Sequence, residues 1–259
     1  VKKIKVMKYF KKIFLYGSGF IGLNKDDILL ASFPRSGNTW VRFFFCHLIS
    51  LNEWDGKDVD FDILNRTMPE FGVNNLLKTW PHETIPRIVK THKNCWPIFR
   101  NKRAILIVRD PRDVMVSYYH FKKDRKGEFA GSFGKFIRGY KNGLESWFEH
   151  YDSWRDQANI IVKYENMKEN DVREFSRMVD FLEVSVDKDL IKKAAERASF
   201  ENVRSVEQGD GERESGKAKG KEDAKFTRDG STRQWEDYFE DDDLEYYEGL
   251  KEEFDVNLY

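Results

Sequence analysis

The run FPRSGNTW, Phe33 to Trp40, places Ser36, Gly37, Asn38 and Thr39 between an apolar stretch and a segment long enough for a helix. At such a junction the first backbone N–H groups of the helix have no partner within it, and with the helix dipole they favour an anion such as phosphate. Gly37 would let the backbone approach that anion closely, although a purely structural turn remains the plain alternative. The spacing is not GxxxxGK[ST], and no carboxylate placed for magnesium follows a later apolar run, which weighs against an ATP-using kinase or ATPase. Arg109 ends the run AILIV just before another helical segment, again where an anion would bind, while Arg112 reads as a surface bystander. Lys90 and His92 stand two residues apart in RIVKTH. A histidine, with a reference pKa near 6.5, can be neutral and take a proton, an effect of roughly 10²–10⁴-fold in rate; taken alone, His92 could also be an exposed strand-end residue bonded to backbone. His47, His82, His120 and His150 have no comparable context.

These residues need elements to hold them. ILLASF, RIVKTH, RAILIV and NIIVKYE are short apolar runs of the kind that form buried parallel strands, and TWVRFFFCHLI and the segment from Asp113 onward have helical length, with Asp113 a candidate cap. Strands alternating with helices predict an α/β, P-loop-like three-layer fold with a central parallel sheet flanked by helices, its ligand site at the strands' C-terminal ends. All four runs turn polar or charged at that edge.

With these elements in order, the chain resembles the sulfotransferases that use 3′-phosphoadenosine 5′-phosphosulfate as donor and leave 3′,5′-adenosine bisphosphate. ASFPRSGNTW looks like that family's 5′-phosphosulfate loop, which implies donor contacts from Arg35, Ser36, Gly37, Asn38 and Thr39. VRDPRDVMVSYYHF resembles its 3′-phosphate segment and implies that Arg109 and Ser117 share that phosphate. RIVKTH resembles the segment bearing the catalytic histidine, here His92, with Lys90 beside it. VKYENMKEN and ASFENV look like the adenine-side segments, bringing in Tyr164 and Phe200, while Trp40 is either core or stacked on adenine. FTRDGSTRQW resembles a late element that would add Arg228 and Gly230 at the 3′-phosphate. Arg35 stands where the cytosolic branch usually has lysine, Asp229 replaces a lysine, and Ala198 replaces a threonine.

The resemblance implies an enzyme that moves a sulfonate in line to a hydroxyl or amine of a small-molecule acceptor. His92 would be the base, Arg35 and Lys90 would neutralise the leaving oxygens, and no metal would be needed. A small-molecule kinase of similar fold, or a nucleotide-binding protein without catalysis, are the rival readings. The stretches 54–80 and 121–148 are rich in aromatic residues and could line an acceptor pocket or be core.

Composition bounds the rest. Of the 259 residues, 40% are hydrophobic and 15% aromatic, enough to fill one large core. Net charge is zero, yet residues 234–259 hold 11 acids against one lysine, so the remaining 44 basic and 34 acidic residues leave the body at +10. A cationic body suits a phosphate-, sulfate- or nucleotide-type partner, and nothing points to nucleic acid. Cys46 and Cys95 form no CxxC pair, which fits a reducing, cytoplasmic setting. Residues 1–26 read as a basic segment, its first twelve residues holding six lysines and no acid; it could fray in solvent or rest as an amphipathic helix on a membrane or partner. Residues 27–259 read as the catalytic domain, with a mobile loop at about 205–227, centred on the Gly- and Lys-rich stretch 207–225 that could act as a lid.

Overall fold

The computed structural model describes residues 2–139, 141–214 and 230–259. Helix α1 (Lys2–Gly22) leads into strand β1 (Ile28–Ser32), helix α2 (Asn38–Glu53) and α3 (Phe61–Thr67). Strands β2 (Ile88–Thr91) and β3 (Ala104–Val108) precede α4 (Pro111–His120), α5 (Phe133–Ile137) and α6 (Leu144–Arg155). Strand β4 (Ile160–Lys163) runs straight into α7 (Tyr164–Glu169), followed by α8 (Asp171–Leu182), α9 (Lys188–Arg197), α10 (Phe200–Glu214) and α11 (Asp241–Glu253).

The strands form a parallel sheet in the order β2-β1-β3-β4. Alternate residues go to opposite faces, and both faces are covered, which is why the strands read as unbroken apolar runs. Ile28 and Leu30 of β1 and Ile105 and Ile107 of β3 join the core made with α2, α8 and α9. Leu29, Ala31, Ala104, Leu106 and Val108 face the opposite core with Phe71, Phe99 and Trp154. A third cluster ties α4, α6 and α11 together around Trp147, Phe148 and Tyr247.

The chain leaves β1 for β2 on one side and reaches β3 on the other, so a crevice opens beyond the C-terminal end of β1, the place where such sheets take ligands. All four strand exits meet there: the loop after Ser32, His92 after β2, Arg109 after β3 and Tyr164 after β4.

Two details depart from expectation, and a third decides between stated alternatives. The cap of α4 is Asp110, not Asp113: Asp110 accepts from the Arg112 N–H, and Pro111 takes the first helical position, where a missing N–H costs nothing. Asp113 instead accepts from the Arg233 and Trp235 N–H groups at 2.8 and 3.2 Å. Helix α10 continues through residues 207–214, where a loop was expected, and the remainder of that stretch, 215–229, lies outside the described residues, Arg228 and Asp229 with it. The basic N-terminal stretch is helical, and α1 seats its C-terminal half on the body through Gly19 against Phe71 and Gly22 against Leu76.

Candidate functional site

The turn between β1 and α2 is built by two left-handed residues, Arg35 (φ 71°) and Gly37 (φ 100°). Only glycine fits the second: a Cβ there would lie 2.8 Å from Cδ2 of Tyr164, and its φ is one that side chains rarely adopt. Gly37 caps α2 without a side-chain bond. Asn38 is held inside by donating to the Ser32 hydroxyl at 3.1 Å, and the Ser36 hydroxyl is buried with no partner among the described residues. Arg35 reaches across to α4, where its Nε donates to the Ser117 hydroxyl at 3.1 Å and its guanidinium lies over Phe121.

Arg109 is buried over the Tyr164 ring, 4.4 Å from its centroid, and donates from Nη2 to the Ser231 carbonyl at 2.9 Å; its Nε has no partner among the described residues. The Tyr164 hydroxyl donates to the Gly230 carbonyl at 2.9 Å, and burial raises its pKa, so it is a neutral donor. Gly230 lies against the Phe200 ring, and its φ of 71° again calls for glycine. Behind Arg109, Glu165 accepts from the Asp110 N–H and from the Tyr259 hydroxyl, which fixes the exits of β3 and β4 relative to each other. Arg112 pairs with Asp110 and stacks on Trp235, away from the crevice.

On the other side of β1, Lys90 donates from Nζ to Glu70 at 2.8 Å. Burial presses its ammonium below the ordinary range, and Glu70 opposes that shift. His92 Nδ1 lies 2.7 Å from the Ser32 carbonyl, which can only accept, so the proton is on Nδ1 and the lone pair is on Nε2. Burial, and next to it the Lys90 charge, lower the His92 pKa to about 3, so the ring is neutral across the physiological range.

Arg35, Gly37, Asn38, Thr39, Trp40, Lys90, His92, Arg109, Ser117, Tyr164, Phe200 and Gly230 line one cavity of about 380 Å³. Of the other residues predicted from sequence, Ser36 is sealed beneath the turn, and Arg228 lies outside the described residues. Trp40 meets Tyr164 and Phe175 edge-on, so it is core on one side and cavity wall on the other. Three cations face this space, and among the described residues no carboxylate lines it. That charge, with the Arg109 Nε that has no partner among the described residues, fits a polyanion.

A second cavity of about 350 Å³ shares His92, Pro34 and Tyr118 with the first and adds Phe33, Lys93, Lys141, Glu149 and His150. His150 has no special neighbours in sequence, yet α6 brings it here, its ring edge-on to Phe33 and its Nε2 buried without a partner among the described residues. Only the packing of α6 against β3 reveals it. The stretch 121–148 supplies Phe121 to the first cavity and Lys141 and Ser146 to the second; Trp54 and Trp80 pack against the core instead.

Comparison with known proteins bears on this arrangement. Residues 25–253 match the family model described as "Sulfotransferase domain". Sulfotransferase 1B1 of Canis lupus familiaris is 28% identical over 227 residues, covering 78% of this chain and 76% of that protein. Sulfotransferase 1 family member D1 of Mus musculus is 28% identical over 68% of this chain and 65% of its own length. The fold is similar to a retinol dehydratase solved with androsterone and the inactive cofactor PAP (TM-score 0.71, 21% identity, 95% of this chain and 84% of that one). It is also similar to the mouse sulfotransferase SULT7A1 complexed with PAP (TM-score 0.67, 21% identity, 94% and 90%).

Proposed function

Because this chain belongs to the sulfotransferase family, we propose that it transfers a sulfonate from 3′-phosphoadenosine 5′-phosphosulfate to a hydroxyl, or an amine, of a small molecule. The observation that carries the reading is the meeting of Arg35, Lys90 and Arg109 on one cavity that no carboxylate of the described residues lines, with a histidine whose tautomer leaves Nε2 able to accept a proton. The donor supplies an activated sulfonate on a phosphate leaving group. Arg109, Ser117 and Gly230 hold its 3′-phosphate, the turn from Arg35 to Thr39 holds its phosphosulfate end, and Trp40, Tyr164 and Phe200 flank its base. Arg35 and Lys90 place positive charge where the leaving oxygen gains negative charge, which is how positioned cations act in the related transfer of phosphoryl groups.

His92 takes the acceptor's proton at Nε2 while Nδ1 stays bonded to the Ser32 carbonyl, so the ring keeps its orientation as it becomes charged. A pKa near 3 would make a weak base, but an anion in the neighbouring cavity favours the protonated ring and raises it. The second cavity takes the acceptor, and Lys93, Lys141, Glu149 and His150 on its wall favour an acceptor with hydrogen-bonding groups beyond the one that reacts. Retinol dehydratase was solved with androsterone, and a steroid-like alcohol stays within the acceptor class.

Titration calorimetry without magnesium tests the donor assignment. 3′,5′-Adenosine bisphosphate is expected to bind at least about tenfold more tightly than ADP, the margin of one charge-assisted phosphate contact. Equal affinities, or tight ATP binding that needs magnesium, would turn the reading toward a kinase.

A further inference from the structure

Every large hydrophobic side chain exposed among the described residues lies on α1 or on the stretch that packs against its end. Met7, Phe10, Phe14 and Ile21 recur at intervals of three, four and seven, so they share one side of the helix, and Ile13 and Phe20 flank them. Phe10 is 65% exposed and Ile21 78%, values at which a soluble surface would carry polar residues. Val73 and Leu77, also exposed, extend the patch next to Gly22.

The helix is already seated. Ser18, Gly19, Gly22 and Leu23 are buried, and Gly19 and Gly22 touch Phe71 and Leu76 so closely that a Cβ would clash. Phe20 at its margin packs on Phe71 and Trp96, while Met7, Phe10, Phe14 and Ile21 remain exposed beyond that contact. The same helix carries Lys2, Lys3, Lys5, Lys8, Lys11 and Lys12, and no acid occurs before Asp26. Lys11 and Lys12 are exposed.

We propose that α1 lies in the plane of an anionic lipid surface, its aromatic and aliphatic side chains entering the interfacial region while its lysines meet the headgroups. Strong positive charge with no carboxylate, beside bulky aromatic residues, is the chemistry of interfacial helices. No helix of the described residues is long and apolar enough to cross a membrane, so α1 rests on the surface and does not span it. Charge selects lipid over a second copy of the chain, because pairing two such helices would gather the lysines of both with no acid from either. The docked end also adjoins the second cavity: Lys93, on that cavity's wall beside His92, lies 5.6 Å from the Tyr16 ring centroid. Surface binding is independent of the sulfonate reading and needs no turnover to be measured.

Co-sedimentation of the full chain with vesicles of phosphatidylcholine alone, or with about 30% phosphatidylserine, tests this. Partitioning onto the anionic vesicles is expected to exceed that onto neutral ones by at least about tenfold and to fall as salt rises. The double variant Phe10→Ser/Phe14→Ser is expected to lose at least about tenfold on anionic vesicles, and Lys11→Glu/Lys12→Glu to fall to near the neutral-vesicle level. Both should keep the parent's thermal midpoint and affinity for 3′,5′-adenosine bisphosphate. Equal partitioning on the two vesicle types, or binding indifferent to both double variants, would overturn the proposal. So would lipid-free self-association in sedimentation velocity that the phenylalanine variant abolishes, which would assign the face to a second copy.

Discussion

The cavity holding Arg35, Lys90 and Arg109 is walled mostly by strand exits and the helix starts that follow them, whereas the cavity on the far side of His92 takes its walls from the sides of α4 and α6 and the loop after β2. In the first, backbone fixes geometry: Gly37 and Gly230 adopt conformations suited to glycine, and Arg109 and Tyr164 clamp the segment at Gly230 and Ser231 by its carbonyls. In the second, side chains of mixed charge meet only because helices pack. A donor common to a whole family suits the first kind of wall and an acceptor that varies suits the second, since side chains on helix flanks can change without moving the sheet.

His92 belongs to both walls, so its removal should have the largest effect and sharpen the division. His92→Ala is expected to lower kcat by about 10²–10⁴-fold while leaving affinity for 3′,5′-adenosine bisphosphate within about twofold, because a base acts in the transition state. Steady-state rates and calorimetry on the same preparation check this. The pH profile of the parent adds a second readout: with its pKa lowered, the ring stays neutral well below 6.5, so kcat/KM should show no acid limb near 6.5. A limb there would mean that burial and the Lys90 charge do not hold the ring neutral in solution.

Arg109→Ala should act on the first wall alone. Losing a charge-assisted contact costs roughly 1.5–3 kcal/mol, or about 10- to 150-fold in affinity for 3′,5′-adenosine bisphosphate, while a nucleotide lacking the 3′-phosphate should bind nearly as before. Arg109 also holds the Ser231 carbonyl, so Arg109→Lys, which keeps a charge, separates the two roles. If both nucleotides weaken equally in the alanine variant, Arg109 supports the loop and does not read the phosphate.

The same contrast explains what could be read from sequence. Each strand exit is contiguous, so Phe33 to Trp40, Lys90 with His92, and Arg109 with Ser117 carried their neighbours along, and four apolar runs predicted the four strands. His150 could not be found that way, since its place depends on how α6 packs against β3. Glu70 joins Lys90 across 20 residues through a bridge that no local pattern signals. The sequence pointed to Asp113 as the cap, but Asp110 takes that place, because the Pro111 that follows it sits best at the first position of a helix. In α1 the sequence left both a frayed end and a helix open, and its seating against Phe71 and Leu76 is what distinguishes them.

His150→Asn should give the smallest effect and test whether the two walls are independent. The ring lines only the second cavity, so acceptor KM should change by a few-fold and affinity for 3′,5′-adenosine bisphosphate should not. Stability offers a cleaner arm. Burial, and after it the charge His92 would carry, lower the His150 pKa from 6.5 to about 3. Above 6.5 neither folded nor unfolded chain protonates it, and it leaves stability unchanged with pH. As pH falls from 6.5 toward 3, the unfolded chain takes the proton and the folded one does not, so the folded state loses stability, on the order of a few kcal/mol by the lower end. Asparagine cannot titrate, and His150→Asn should therefore move the acid-unfolding midpoint, followed by circular dichroism, to lower pH. An unchanged midpoint would mean that His150 already protonates in the folded chain, which would place water, and with it an open acceptor entrance, against its Nε2. A parallel loss of donor-product affinity would join the two walls into one.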